Sequence, residues 1–283
     1  DFYLSVGKPE AALKLAEKLA KANPNPTNET RLAYTAIAAK RFELVPPIVK
    51  KLSGLDGWKG VSQLISINSL LAQEKYDEAK KEIRQLKVPI ARDEFMLKLH
   101  AARKDYKAMR DELDGMEKRL SPDVDVDLAN ALRQLVVAEK LRDVELLNRI
   151  WKLLVDTKQI ESTDAANSVG YVAAELNVRL DEAKLLIEQA LAGDPDNYAF
   201  LDSMAWVLFR QGKYAEAETY INRALRASEQ ESARGVIFEH KGDILLKLGR
   251  KSEALAAYRE AMDYSEDDDF DPARVEEKIR QLE

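Results

Sequence analysis

Carboxylates are the main groups in this sequence that could carry out chemistry, because the other reactive residue types are scarce. The 283 residues include no Cys and only two His, His100 and His240. Without Cys there can be no disulfide, thiolate metal site or thiol nucleophile, and two His leave little for a metal centre. The 50 acidic residues remain, but in a chain that is 33% charged we expect them on exposed helix faces rather than paired in a dry pocket.

The sequence also lacks the short motifs that mark common catalytic and nucleotide-binding sites. It contains no phosphate-binding loop, no dinucleotide fingerprint, no His-Glu-x-x-His and no Gly-x-Ser-x-Gly. One acidic stretch, Ser265 to Asp271, spaces three Asp as a calcium loop does, but Pro272 stands where that loop needs Gly and Lys278 where it needs Glu. The sequence therefore predicts a protein that is not an enzyme, with no catalytic residues, no metal site and no cofactor.

The distribution of charge argues against a nucleic-acid partner. The net charge is −6, and the longest basic clusters are pairs such as Lys40-Arg41. Residues 1–120 hold 23 basic and 17 acidic side chains, a balance of +6, whereas residues 121–283 hold 21 and 33, a balance of −12. Helical repeat proteins that bind RNA need basic grooves to meet the phosphates, so we expect no nucleic acid here.

Neither a membrane span nor an export signal is visible in the sequence. No apolar run approaches the ~18–20 residues that a membrane-spanning helix needs, so we expect no transmembrane segment in this chain. The first residues, Asp1-Phe2-Tyr3, lack the basic and apolar pattern of a signal peptide and begin without Met. We therefore expect a piece of a longer protein.

An internal repeat dominates the C-terminal third of the sequence. Three segments that begin at Asp181, Ala215 and Ser252 share the same spacing of Ala and larger apolar residues, and they recur after 34 and then 37 residues. A second apolar stretch of helical length precedes each segment, and Gly212 and Gly249 stand at two of the turns. This pattern predicts helix–turn–helix units, which stack because one pair of helices cannot bury its own apolar face.

These residues resemble the tetratricopeptide repeat (TPR) family. Within Tyr198–Glu229 the family's positions hold small, apolar and aromatic residues in the family's order, and Pro195 stands where the family places its inter-repeat proline. The match departs mildly in the first helix, where Leu201 and Ala205 replace the family's Trp and Gly. The resemblance implies an all-α fold, a right-handed superhelical solenoid of helix–turn–helix repeats with a C-terminal capping helix.

The same pattern, weaker toward the N-terminus, divides the chain into half a repeat, about seven repeats and a last helix. Asp271 and Pro272 are suited to the N-cap and first position of that last helix, which we expect to cap the array. The predicted half repeat covers 2–24, and the full repeats cover 27–54, 58–88, 90–120, 123–158, 162–195, 197–229 and 233–264. Together they form one TPR array over 1–264, followed by an acidic linker and capping helix over 265–283.

The first helices of TPR proteins line a concave groove that binds peptides, and the resemblance places nine side chains of this chain there. They are Ser168, Val172, Glu175, Asp202, Trp206, Arg210, Glu239, Asp243 and Lys247. TPR domains that hold chaperone C-terminal tails use Lys, Asn and Arg at such positions, whereas this sequence has Asp202, Glu239 and Asp243. We therefore expect no such clamp, and a basic or amphipathic segment of a protein or peptide as the partner.

Trp206 could have either of two roles. A groove-facing Trp is a common anchor for a partner, because it buries a large area at little entropic cost. Alternatively, Trp206 packs against the first helix of the neighbouring repeat. If it is an anchor, Trp206→Ala weakens partner binding by more than about 2 kcal/mol and leaves helicity unchanged.

The resemblance implies a non-enzymatic scaffold or adaptor, and two runs of residues suggest where it works. Tyr198–Tyr214 and Gly235–Asp243 look like the TPR proteins that many bacteria export or anchor as lipoproteins, and the lack of Cys agrees with that. We therefore expect the bacterial periplasm or an outer-membrane anchor. The alternative is a regulatory TPR module of a cytoplasmic signalling or transcription protein. The partner's identity and the oligomeric state stay open.

Overall fold

The computed structural model describes residues 8–119, 128–156, 160, 162–229, 234–264 and 270–283, and all regular structure in those ranges is helical. In the same ranges, no helix is both long enough and apolar enough to cross a membrane. The acidic stretch 265–269, which belongs to the sequence that spaces its Asp as a calcium loop does, lies outside the described residues.

The chain divides into two compact units, unit 1 from Asp1 to Ser121 and unit 2 from Pro122 to Glu283. The sequence predicted one continuous array over 1–264, and the boundary between the units falls between its third and fourth full repeats, at the point where the balance of charge changes sign. The division of the chain into numbered repeats and a cap stays a prediction.

Unit 1 consists of seven described helices, several of which begin with proline in the first turn, where its missing N–H has no helical partner to lose. They are α1 (Pro9–Ala22), α2 (Pro26–Ala38), α3 (Val45–Ser53), α4 (Lys59–Ala72), α5 (Tyr76–Arg84), α6 (Pro89–Ala102) and α7 (Tyr106–Arg119). A short 3-10 turn, Phe42–Leu44, precedes α3, and Pro46 and Pro47 lie in the opening turn of that helix as the sequence predicts.

Unit 2 consists of nine described helices, and polar N-caps fix the starts of several of them. Asp143, Ser162, Asn197 and Asp271 each accept a backbone N–H through the side chain. The helices are α8 (Leu128–Leu141), α9 (Val144–Trp151), α10 (Thr163–Glu175), α11 (Leu180–Gly193), α12 (Tyr198–Arg210), α13 (Tyr214–Ala227), α14 (Gly235–Lys247), α15 (Lys251–Met262) and α16 (Pro272–Leu282). A π-helical turn, Lys152–Asp156, extends α9.

The even-numbered helices from α2 to α14, called first helices here, all end in the same turn. A residue in left-handed conformation follows each of them, and the next residue donates its backbone N–H to the carbonyl five residues back, at N···O distances of 2.8–3.0 Å. The seven left-handed residues are Lys40, Glu74, Lys104, Arg142, Asn177, Gly212 and Gly249. This Schellman hydrogen bond satisfies a helix carbonyl and turns the chain into the following second helix. The turn recurs every 30 to 38 residues, so it defines the structural repeat.

Two glycines allow helices of unit 2 to lie close together. A Cβ atom on Gly170 of α10 would lie 2.8 Å from Cγ1 of Ile187 in α11, and one on Gly242 of α14 would lie 2.3 Å from Cε1 of Tyr258 in α15. Because no real Cβ approaches another atom so closely, both hairpins depend on the missing side chain. The small residues that predicted tight hairpins from the sequence therefore have the expected structural role.

The last helix, α16, covers the apolar end of unit 2. Its Val275 and the preceding Phe270 are buried, and they pack in one cluster with Leu245, Ala257 and Tyr258 of the last hairpin. The fold is thus all-α and built of helix–turn–helix repeats, with a final helix over the end of unit 2.

Candidate binding groove

Unit 2 contains an open cavity of about 750 Å³ along its first helices. Residues three and four apart, on one face each of α8, α10, α12 and α14, line it, and one side chain comes from α16. The lining consists of Leu132, Leu135, Val136, Glu139 and Lys140 of α8; Asn167, Ser168, Tyr171, Val172 and Glu175 of α10; Tyr198, Ala199, Asp202 and Ser203 of α12; Val236, Ile237 and His240 of α14; and Arg274 of α16. A cavity of this size and mixed polarity is typical of a ligand site.

The structure brings four of the nine predicted groove residues into this lining and leaves five outside it. Ser168, Val172, Glu175 and Asp202 line the cavity. The other five are Trp206, Arg210, Glu239, Asp243 and Lys247. Of these five, Trp206 and Glu239 are buried, Arg210 and Asp243 are half-buried, and Lys247 is exposed. A role of any of the nine in binding stays a prediction.

Sequence reasoning missed Asn167 and Tyr171, because it placed two of the three groove positions of α10, at Ser168 and Val172, one residue later than in α12. The small residues that face the second helices, Gly170, Ala205 and Gly242, are 35 and 37 residues apart. In that register Asn167 corresponds to Asp202 and Glu239, and Tyr171 corresponds to Trp206 and Asp243. The spacing of the glycines was therefore the signal that could have found both residues.

A buried ion pair links α12 to α14 at the wall of the cavity. His240 Nδ1 lies 2.9 Å from Oδ1 and 3.1 Å from Oδ2 of Asp202, and both side chains are almost fully buried. Burial by itself lowers the pKa of His240, but the contact with Asp202, helped by Glu239 and Asp243, more than offsets it and raises the pKa above its ordinary value. The pair joins two consecutive first helices.

Trp206 packs against the neighbouring first helix. Its ring stacks on His240 of α14, with centroids 4.1 Å apart, and on Phe209, with centroids 4.8 Å apart. Only 7% of the residue is exposed. This position agrees with the second of its two possible roles, the structural one, and its proposed role as a binding anchor stays a prediction.

The acidic side chains of α14 are neutralised by the capping helix. Glu239, which is 2% exposed, accepts two hydrogen bonds from the Arg274 guanidinium, at 2.6 and 2.7 Å, and one from Lys278 Nζ at 2.8 Å. Lys278 also donates to Asp243 at 2.7 Å, and the Tyr258 hydroxyl donates to Asp243 at the same distance. Burial raises the pKa of Glu239, but these cations outweigh it, so that its pKa is lowered.

These pairs remove the premise on which a basic partner was predicted. The prediction relied on Asp202, Glu239 and Asp243 as unpaired acids in the groove, whereas all three are bonded within the chain, to His240, Arg274, Lys278 and Tyr258. The sequence could not show this, because the partners lie 15 to 39 residues away along the chain.

Other carboxylates face the cavity around Tyr171. Burial raises the pKa of the Tyr171 phenol well above its ordinary value, and the negative charges of Glu175, Glu139 and Asp202 raise it further, in that order. Glu139 pairs with Lys140 at 2.7 Å, whereas the nearest ion-pair partner of Glu175 is Arg142, at 3.8 Å.

Comparisons with known proteins agree on the class of fold and match part of the chain to a family. A family model described as tetratricopeptide repeat matches residues 198–267. A TPR repeat-containing protein of Pseudomonas aeruginosa, PA4667, is 35% identical over 100 residues, which are 35% of this chain and 17% of that protein. The chain therefore spans about one sixth of the length of this curated relative.

Solved structures agree on the fold. A tetratricopeptide repeat protein from Parabacteroides merdae superposes with a TM-score of 0.68 at 12% identity, over 97% of this chain and 98% of the other. Yeast Tom70 superposes with a TM-score of 0.51 at 12% identity, over 98% of this chain and 59% of the other. The chain is therefore a protein of repeated helical hairpins. Over residues 198–267 it matches the tetratricopeptide repeat family.

Proposed function

We propose that the protein is a non-enzymatic scaffold or adaptor that binds a segment of another protein in the cavity of unit 2. The cavity is the observation that supports this, because its lining mixes apolar side chains with a few convergent polar groups, as a peptide-binding groove needs. TPR repeats are protein-interaction modules, so a protein partner is the expectation for this fold.

Val136 and Leu185 allow the proposal to be tested with a matched control. Both are exposed aliphatic residues on helices of unit 2, but Val136 of α8 lines the cavity, whereas Leu185 of α11 does not contribute to its lining. Peptides selected from a random display library on the wild-type protein would be measured against Val136→Glu and Leu185→Glu. We expect Val136→Glu to weaken binding at least about tenfold, because it places a charge in an apolar contact, and Leu185→Glu to leave it unchanged. Equal binding to all three proteins would contradict the proposal.

We propose an amphipathic segment as the partner, with apolar side chains against Val136, Val172 and Val236. The acids of α12 and α14 are bonded within the chain, so the attraction of a basic segment to Asp202, Glu239 and Asp243 no longer supports this choice. The absence of a chaperone-tail clamp stays part of the proposal. It predicts that an acidic tail of the Glu-Glu-Val-Asp type will not bind the cavity measurably.

The proposed location is the bacterial periplasm or the outer membrane; the relative from Pseudomonas supports a bacterial source but not a particular compartment. The rival is a regulatory TPR module of a cytoplasmic signalling or transcription protein. The first codons of the full-length gene separate the two, because a signal or lipoprotein segment supports the envelope. An upstream DNA-binding or kinase domain would support the rival.

A nucleic-acid partner is not part of the proposed function. Residues 121–283, which include all the lining of the cavity, carry a balance of −12. Proteins that bind nucleic acid release counterions, and their affinity therefore falls steeply with salt. RNA binding with such a salt dependence, lost in Val136→Glu, would overturn this part of the proposal.

A further inference from the structure

We propose that the cavity binds an Arg or Lys side chain of the partner segment, held beside Tyr171 by acceptor groups of α8 and α10. This inference rests on the proposed function, since it names the chemistry of the segment that the cavity takes.

The end of unit 2 shows how this fold holds a cation. Lys278 Nζ lies 2.8 Å from a carboxylate oxygen of Glu239 and 2.7 Å from one of Asp243, and it lies 5.5 Å from the ring centre of Tyr258. A cation on a helix thus binds carboxylates of a first helix and the face of an aromatic ring at the same time. Both contacts favour Lys or Arg over a neutral side chain.

The same position on three consecutive first helices carries a hydrogen-bond acceptor. Asn167, Asp202 and Glu239 are equivalent, 35 and 37 residues apart. Asp202 is bonded to His240 of the next first helix, and Glu239 is bonded to Arg274 and Lys278 of the capping helix. In two of three repeats, therefore, the acceptor already receives a nitrogen donor of a basic side chain.

In the third repeat the described part of the chain does not supply this donor. The residue of α12 that corresponds to His240 is Ser203, and its hydroxyl donates to the carbonyl of Ala199 at 2.9 Å. The Oδ1 atom of Asn167 is buried and has no hydrogen-bond partner within the part of the chain that the structure describes. Because a buried acceptor without a partner is costly, it favours a donor from a bound molecule.

The groups around Tyr171 would attract a positive donor. Glu139, Glu175 and Asp202 line the cavity together with Tyr171. Asp202 is paired with His240, so Glu139 and Glu175 are the carboxylates that a bound cation would meet. Arg142 is too far from the Glu175 carboxylate, at 3.8 Å, for a hydrogen bond.

The cations that line the cavity are themselves engaged. Arg274 directs Nε and Nη2 to Glu239, and Lys140 Nζ lies 2.7 Å from its neighbour Glu139. The side chains of Lys140 and Arg142 are partly exposed, and Arg142 donates to the Glu175 carbonyl at 3.1 Å and not to its carboxylate. An Arg or Lys of the partner would then meet carboxylates and an aromatic face, as Lys278 does.

Glu175→Gln and Glu182→Gln form a matched pair for the test. Glu175 lies in the lining with Arg142 at 3.8 Å, and Glu182 lies on α11, outside the lining, with Arg179 at 3.6 Å. Both changes remove one charge and keep the shape of the side chain. The probes are peptides enriched from the random display library, together with copies in which each Arg is replaced by citrulline and each Lys by norleucine.

We expect the enriched peptides to share a basic residue whose replacement weakens binding about tenfold to wild type but hardly at all to Glu175→Gln. Glu182→Gln should behave as wild type. Peptides that lose binding in Val136→Glu but do not depend on a basic residue would overturn this inference and leave the proposed function standing. Peptides that bind Val136→Glu as tightly as wild type, or a library that yields no binder, would count against both the inference and the proposed function. Enrichment of acidic peptides would also overturn the inference.

Discussion

Units 1 and 2 close their hairpins with the same turn but with different residues. In unit 1 the left-handed position is held by Lys40, Glu74 and Lys104, whereas the last two hairpins of unit 2 have Gly212 and Gly249 there. The Schellman hydrogen bond is equally short in all of them. The backbone hydrogen bond therefore defines the turn, and the residue type only changes what the left-handed conformation costs.

Glycines of the two units differ in how closely another helix approaches them. In unit 2, Gly170 and Gly242 face the second helix with no room for a Cβ atom. In unit 1, a Cβ on Gly60 of α4 would have nothing within 4 Å. This difference predicts that Gly170 and Gly242 tolerate an added methyl group much less well than Gly60 does.

Gly242→Ala should give the largest effect. The new Cβ would lie 2.3 Å from the Tyr258 ring, which is fully buried and fixed by its hydrogen bond to Asp243. We expect the free energy of unfolding of unit 2 to fall by about 2–3 kcal/mol, as in other overpacked cores. Urea unfolding followed by hydrogen-exchange mass spectrometry would measure it, since exchange resolves the amides of α14 and α15 from those of unit 1.

Gly60→Ala is the control for this comparison. Its Cβ meets no neighbour, and Ala is the better helix former, so unit 1 should gain up to about 1 kcal/mol. A similar loss in both variants would mean that the loss does not come from the close contact at Gly242, which would contradict the comparison.

Glu239→Gln should give the next effect and again affects unit 2 alone. The buried carboxylate receives three hydrogen bonds from Arg274 and Lys278, and a neutral amide cannot balance these cations. Since the Arg274 side chain is half exposed, solvent compensates in part, and we expect a loss of about 1–2 kcal/mol. Faster hydrogen exchange confined to α16 and its contacts would show it.

Glu276→Gln is the matched control on α16. Glu276 is 55% exposed at the side chain and lies 3.9 Å from Arg280, so its removal should change stability hardly at all. If it loosened α16 as much as Glu239→Gln does, the capping helix would depend on its overall charge and not on the buried pairs.

The sequence predicted the repeats of unit 2 better than its groove. The spacing of Ala215, Ala217 and Ala224 marks helix pairs because only small residues fit between close helices. The groove positions carry no such constraint, so Asn167 and Tyr171 could be found only through the spacing of the small residues Gly170, Ala205 and Gly242. In unit 1 the turn residues are not Gly, which explains why its repeats were weaker in sequence although the turns are the same.

The ion pairs at the end of unit 2 could not be predicted at all. Glu239 and Arg274 are 35 residues apart, and no repeat relates the capping helix to the hairpin that it covers. In a chain with 44 basic and 50 acidic residues, the number of possible pairs is too large for sequence alone to select the buried ones. Burial, which selects them, is a property of the packed helices.

The two histidines should give opposite pH dependence in the two units. Burial lowers the pKa of His100 in unit 1, whereas Asp202 overcomes burial and raises the pKa of His240 in unit 2. The pKa of His in the unfolded chain is about 6.5. As pH falls through this value, the unfolded chain binds a proton at His100 before the folded chain does, so unit 1 loses stability. The contribution of His240 is fully present below about pH 6.5 and is lost as pH rises through its raised pKa.

Ring-proton NMR titration would assign the two pKa values, and hydrogen exchange below about pH 6 and above about pH 8 would measure the stability of unit 1 and of unit 2. A difference of one pH unit between the folded and unfolded pKa corresponds to about 1.4 kcal/mol of stability. His240→Gln should remove the dependence in unit 2 only, and His100→Gln should remove it in unit 1 only. Parallel changes in both units would contradict the assignment.

Lys104→Gly should give the smallest effect, and a gain in stability. Lys104 has a φ of 54° after α6, where a side chain strains the backbone and Gly does not. Gly also gives the unfolded chain more freedom, so we expect a net gain of about 0.5–1 kcal/mol for unit 1. The reverse change, Gly249→Lys, should destabilise unit 2 by a similar amount, since the Schellman hydrogen bond after α14 is the same. Urea midpoints of both variants would measure this. A loss on Lys104→Gly would mean that the Lys side chain itself stabilises the turn, and the two units would then differ in more than the cost of the left-handed residue.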